Sequence, residues 1–180
     1  MWNGLRVFAF LGMVAVLLVG CPPPGGWPAA PFDATGTYVG TWQGRTNEPE
    51  VEKQQEILAC PLTVTLTQDM TATYPKDHAV QGTVEIDYSC LEEQLPAWVE
   101  EIPPNIIQVS GIVADDGKMA LFSGGCGTGM CVVLSLGGEG TDIDADVAMD
   151  TYSGSWSFVI LLAGVPPFGV SGTFEVNAVD

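Results

Sequence analysis

The sequence predicts an all-β chain, an antiparallel up-and-down barrel of about eight or nine short strands. Three observations carry this expectation. From residue 35 onward the chain breaks into nine runs that alternate apolar and polar residues, the period of a strand with one buried face. Turn-forming residues separate the runs, as in ADDGK at 114–118 and AGVPPFG at 163–169. Glycines recur on the apolar faces, where they let strongly curved strands bend; this favours closure over the alternative, a β-sandwich.

Taken in chain order, the first element precedes the barrel. Residues 1–6, MWNGLR, hold one basic side chain, Arg6, and the 13 residues Val7–Val19 are all apolar or glycine. That length suits the apolar region of a secretory signal and falls short of the roughly 20 residues of a membrane-spanning helix. The run closes on Leu18-Val19-Gly20-Cys21, which resembles the lipobox of bacterial lipoproteins. In that family the cysteine thiol receives a diacylglyceryl group, the signal is cleaved before it, and the new amine is usually acylated. The resemblance implies a signal peptide over 1–20, lipidation at Cys21, and a membrane partner reached through the N-terminal lipid. It also implies a place in the bacterial cell envelope, facing outside the cytoplasm. Pro22 after the cysteine implies the outer membrane if the host is Gram-negative. The rival reading is an ordinary cleaved signal whose Cys21 pairs later.

Residues 21–35 follow as a tether. PPPGGWPAAPFDATG holds five prolines in 15 residues, a composition that forms neither a helix nor a central strand. Fully extended, 14 residues at roughly 3 Å each would hold a domain up to about 40 Å from the membrane. The barrel domain is expected over 36–180.

Within it, GTYVGTWQG (36–44) sets Tyr38, Gly40 and Trp42 on one face. LTVTLTQ (62–68) and GTVEIDY (82–88) read as a hairpin. Symmetric pairing sets Leu62 opposite Tyr88, Val64 opposite Ile86, Leu66 opposite Val84 and Cys60 opposite Cys90. IIQVSGIVA, KMALFS, CVVLSL and TDIDADV continue the series. YSGSWSFVI (152–160) points Tyr152, Gly154, Trp156, Phe158 and Ile160 one way and its serines the other, and VSGTFEV (170–176) repeats the pattern. Two stretches look non-β. NEPEVEKQQEIL (47–58) reads as a helical turn or loop. LEEQLPAWVEEIPPN (91–105) places Leu95, Trp98, Val99 and Ile102 at near-helical spacing, able to cap one barrel end.

Charge and cysteine content narrow the partners. The 22 acidic residues against 5 basic ones give a net charge of −17, and loss of residues 1–20 removes only Arg6, leaving −18. Such a surface repels nucleic acid and anionic lipid headgroups. Beyond Cys21 four cysteines remain, an even number in an exported chain, so disulfides Cys60–Cys90 and Cys126–Cys131 are expected. Zinc is set aside because no CxxC pair is present.

Gly40-Thr41-Trp42 resembles the opening G-x-W motif of lipocalins. In that family the tryptophan closes one barrel end, and the interior holds a small apolar ligand. The resemblance carries over Trp42 alone, with Trp156 beside it as candidate cavity lining. Five inward aromatics, Tyr38, Trp42, Trp156, Phe158 and Phe174, favour a filled interior over a cavity.

Other chemistry is sparse. His78, the one histidine, sits in YPKDHAV and is expected as a solvated turn residue rather than a catalytic base. Asp142, Asp144 and Asp146 open like a calcium loop, D-x-D-x-D. Val147 then stands where that loop needs glycine, and the expected arrangement is an outward strand face with Ile143, Ala145 and Val147 inward. Glu92, Glu93, Glu100 and Glu101 flank Trp98 and offer the carboxylates for a hydrolase alternative. No cofactor is expected. The reading is a lipid-anchored, non-enzymatic envelope protein, a structural or binding module for a small apolar ligand or an envelope protein partner, with a lipocalin-like carrier as the alternative.

Overall fold

The computed structural model describes residues 28–179, apart from 49, 92, 97–98, 100–104 and 128–129. Cys21, Glu92, Trp98, Glu100, Glu101 and Ile102 therefore lie outside the described residues. Eight strands run β1 (Gly36–Thr46), β2 (Glu56–Gln68), β3 (Ala79–Ile86), β4 (Ile106–Val113), β5 (Lys118–Gly127), β6 (Met130–Thr141), β7 (Thr151–Leu162) and β8 (Phe168–Ala178). Each pairs antiparallel with the next, and β8 pairs with β1, so the sheet is a closed up-and-down barrel. Closure leaves no strand edge among the eight.

The alternating runs map onto the strands with their apolar members inside. Tyr38, Trp42, Val64, Leu66, Val84, Tyr152, Phe158, Val170 and Phe174 are all buried in one continuous core. The glycines act at the strand seams. At Gly172 a Cβ would lie 1.9 Å from the Gln43 carbonyl oxygen, and at Gly40 one would lie 2.0 Å from that of Glu175. Strands β1 and β8 thus approach more closely than any side-chain-bearing residue allows, and that approach completes the barrel.

A bulge adjusts β2. Trp42 pairs with Cys60 but Gly44 pairs with Ile57, with Ala59 at φ 46° between. The extra residue turns Ile57 inward and leaves Leu58 on the surface.

The β2–β3 hairpin corrects the expected register. Leu62 pairs with Ile86, Val64 with Val84 and Leu66 with Gly82, two residues away from the symmetric expectation. The ladder stops at Ile86 because the Asp87 carboxylate accepts the Ser89 amide at 2.9 Å and the chain enters a 3-10 turn over Tyr88–Leu91. A shift of two preserves every facing. Cys90 rides that turn rather than a strand and still reaches Cys60, Cα to Cα 6.0 Å. Cys126 and Cys131 are direct ladder partners, 4.0 Å apart at Cα, and are bonded as expected. In the 91–105 segment, Leu95 and Val99 pack against the core.

TDIDADV is not the ninth strand. After Thr141 the chain makes a loop in which Ala145 (φ 62°) and Val147 (φ 81°) adopt the left-handed conformation that breaks strands. Ile143 and Val147 are 70% and 53% exposed, the opposite of the inward facing expected for them.

Both ends of the barrel can now be assigned. The start of β1, the β2–β3 connection, the 114–117 turn and the 142–150 loop form one mouth, and both disulfides lie at the other. Residues 28–35 cross the first mouth as a strap. Ala30, Phe32 and Ala34 are buried there, so the part of the expected tether nearest the barrel is packed against it.

Candidate functional site

The interior is built around an aromatic pair. Trp42 from β1 and Trp156 from β7 meet edge to face with ring centroids 4.3 Å apart. Tyr152 and Phe174 make a second such contact at 4.7 Å. Trp156 donates its indole N–H to the Gln43 carbonyl at 3.2 Å, whereas the buried indole N–H of Trp42 has no acceptor among the described residues. Burial pushes the phenols of Tyr88 and Tyr152 far above their ordinary range, and both remain neutral. The sequence-predicted lining residues are thus together and inside. Both indoles are buried, Trp42 at 1% and Trp156 at 5% exposure.

At the strapped mouth the structure departs most from expectation. His78 is only 5% exposed, a buried residue rather than a solvated one. It ends a 3-10 turn over Lys76–His78, and that turn brings Asp77 under cover with it. His78 Nδ1 lies 2.7 Å from the Val113 carbonyl oxygen, and Nε2 lies 3.3 Å from that of Pro28. Two carboxylates flank Nε2, Asp77 at 3.8 Å and Asp115 at 3.7 Å. Gln68 joins the parts, since its side-chain N–H donates to the Asp77 carbonyl and its oxygen accepts the Ala34 amide at 2.8 Å.

The acidic loop sits at the same mouth. Asp142, Asp144 and Asp146 bring one carboxylate oxygen each within 4.8 Å of the others. Those carboxylates cap the loop's own backbone: Asp142 accepts the amides of Ala145 (2.7 Å) and Val147 (3.0 Å), and Asp146 accepts that of Ala148 (2.8 Å). The Asp146 amide favours the charged form of Asp144, but the neighbouring carboxylates of Asp146, Asp150 and Asp142, with some loss of solvation, raise its pKa above the usual value. Giving one oxygen each, the three carboxylates supply half or less of the six to eight oxygens that calcium takes. The set is a self-capped loop under like-charge repulsion.

Outside the barrel, a groove of about 760 Å³ runs over β3 and β4, lined by Thr67, Gln81, Ser110, Ile112 and Phe122 with Lys76 on its rim. Ile112 and Phe122 are 58% and 51% exposed. Of the carboxylates considered for hydrolysis, Glu93 is exposed, and Glu92, Glu100 and Glu101 lie outside the described residues. Comparison with protein-family models, curated proteins and solved structures found no match. The lipobox and G-x-W resemblances therefore rest on the residues that carry them. The strap and the buried His78 cluster are the parts that strand periodicity did not reveal.

Proposed function

We propose that this chain is a lipid-anchored envelope protein, fixed through Cys21, that displays a small packed barrel outside the cytoplasm and has no catalytic role. The observation that carries the reading is the pair of bridges, Cys60–Cys90 and Cys126–Cys131, in a chain that opens with a lipobox-like signal. Disulfides persist in oxidising compartments, and a lipobox leads there.

Packing of the strap shortens the free tether. Between Cys21 and Pro28 lie only a few residues, so at roughly 3 Å per residue when extended Pro28 reaches at most about 20 Å from an anchored lipid. That mouth carries Asp69, Asp115, Asp116, Asp142, Asp144 and Asp146. Its charge repels an anionic headgroup layer at close range, which favours a barrel standing off the membrane over one lying on it.

The test is Cys21→Ala. Wild type should incorporate radiolabelled palmitate and sediment with membranes, and the variant should do neither. Unchanged membrane recovery of the variant would overturn the anchoring.

A second reading, a carrier of a small ligand, has one observation in its favour: the buried Trp42 N–H without an acceptor. A carrier predicts saturable quenching of tryptophan fluorescence by a long-chain fatty acid, weakened in Trp42→Phe. The display module predicts no saturable quenching.

A further inference from the structure

We propose that His78 is a pH-operated latch that holds the strap of residues 28–35 across one mouth of the barrel. The strap is a built element. Phe32 seats on Gly140, where a Cβ would lie 2.4 Å from the ring. Asp33 and Ala148 form an isolated parallel bridge, with the Asp33 amide donating to Val147 at 2.7 Å and the Met149 amide donating to Asp33 at 2.9 Å. The Tyr38 hydroxyl donates to the Ala34 carbonyl at 3.1 Å.

His78 ties the outer end of this strap to the barrel. Its two ring nitrogens face the carbonyls of Val113 and Pro28 and the carboxylates of Asp77 and Asp115, all of which accept. A neutral imidazole has one N–H, so one ring nitrogen would turn a lone pair toward an acceptor. The imidazolium donates in both directions. It also answers a second demand, because Asp77 is buried and its Oδ1 has no hydrogen-bond partner among the described residues, and a buried carboxylate left without a counter-charge is costly. Among the described residues Tyr74 also meets the imidazole, edge to face at 5.3 Å between ring centroids. Asp116, next in the turn, is held by Lys118.

Proton binding at His78 and closure of the strap therefore favour each other. With the ring protonated, the strap is fastened. As pH rises and the ring loses a proton, the bridge to Pro28 and the charge facing Asp77 and Asp115 go together, and the strap loosens. Histidine is the side chain that ordinarily titrates between about pH 5 and 8. Tyr38, which reaches the strap from β1, does not compete there: burial first, then the charges of Asp33 and Asp150, push its phenol up to about 12.

The experiment is NMR on the full chain, in which the single histidine makes the ring signals unambiguous. Ring nitrogen shifts and hydrogen-exchange protection factors are followed together from about pH 5 to 9, across the histidine range. At the acid end both ring nitrogens should be protonated. Protection at the Asp33 and Met149 amides should fall about tenfold or more as the ring titrates, while the β2–β3 ladder is unchanged. His78→Gln should keep the ladder protected and leave the strap poorly protected at every pH. Should that variant not fold, Asp77→Asn removes a carboxylate that faces Nε2 and should lower strap protection severalfold at the acid end. Strap protection that stays constant through the ring titration, a singly protonated ring at the acid end, a His78→Gln strap as protected as wild type, or an Asp77→Asn strap as protected as wild type at the acid end would each overturn the latch.

Discussion

Removing the two disulfides separately gives a quantitative test of how the barrel is held at its unstrapped mouth. Cys60–Cys90 closes a sequence separation of 30 and Cys126–Cys131 one of 5. In the chain-entropy account a cross-link lowers the entropy of the unfolded chain by an amount that grows with the logarithm of the loop it closes. At 25 °C that is about 3.6 kcal/mol for the longer loop and about 2 kcal/mol for the shorter. The longer bridge also has a buried end, Cys60, so Cys60→Ala/Cys90→Ala adds a small void to the lost cross-link, whereas Cys126 is exposed. The expected difference between the two double variants is thus about 1.5 kcal/mol or more. At roughly 2–4 °C per kcal/mol, Cys60→Ala/Cys90→Ala should melt about 7–14 °C below the native protein, and Cys126→Ala/Cys131→Ala about 4–8 °C below it. Urea unfolding of each variant beside the oxidised wild type measures the free energies. An equal or larger loss from the shorter bridge would refute the ranking. A non-reduced digest joining Cys60 to Cys126 or Cys131 would refute the geometry beneath it.

Two further outcomes follow from the seams and the acidic loop. Gly172→Ala sets a Cβ against the Gln43 carbonyl at the β1–β8 closure and should cost about 2–3 kcal/mol in urea unfolding. Gly124→Ala, with nothing within 4 Å, should cost far less, and equal costs would count against the close approach. Asp144→Asn keeps an oxygen for the Asp146 amide and removes a charge from a crowded set, so it should raise Tm at neutral pH. The sign follows from the raised folded pKa: the charged form is disfavoured in the fold, so the wild type gains stability as pH falls through that pKa, and the variant's advantage shrinks with it. A calcium-dependent module predicts the reverse, a Tm that rises with millimolar calcium and an Asp144→Asn that abolishes the rise.

Period-two alternation was enough for the eight strands, because each strand has one face in the core and one in water. Tyr38, Trp42, Val64, Trp156 and Phe174 all face as their runs predict. The same signal misread Ile143 and Val147. Alternation cannot tell a strand from a loop whose aspartates take the backbone amides for themselves, and the positive φ angles at Ala145 and Val147 follow from that competition. The hairpin register slipped by two for a related reason. Face identity is unchanged by an even shift, so only the local stop at Asp87 sets the pairing.

The strap shows a different kind of gap. Its proline and glycine content reads as a tether, yet Ala30, Phe32 and Ala34 are buried at alternate positions, the strand period in miniature. Three residues are too few to stand out from composition, and the partner that seats Phe32 is Gly140, more than a hundred positions away. His78 had no local signal at all, because Val113 and Pro28 reach it only once the barrel is closed. The result is a barrel whose two mouths are secured by different chemistry. Covalent bridges hold one, and hydrogen bonds to a buried imidazole fasten the strap at the other. On the proposed anchoring and the proposed latch, the mouth that responds to pH is the one facing the membrane. A change of pH in the envelope would then alter the join between barrel and anchor while leaving the disulfide-bonded outer end as it was.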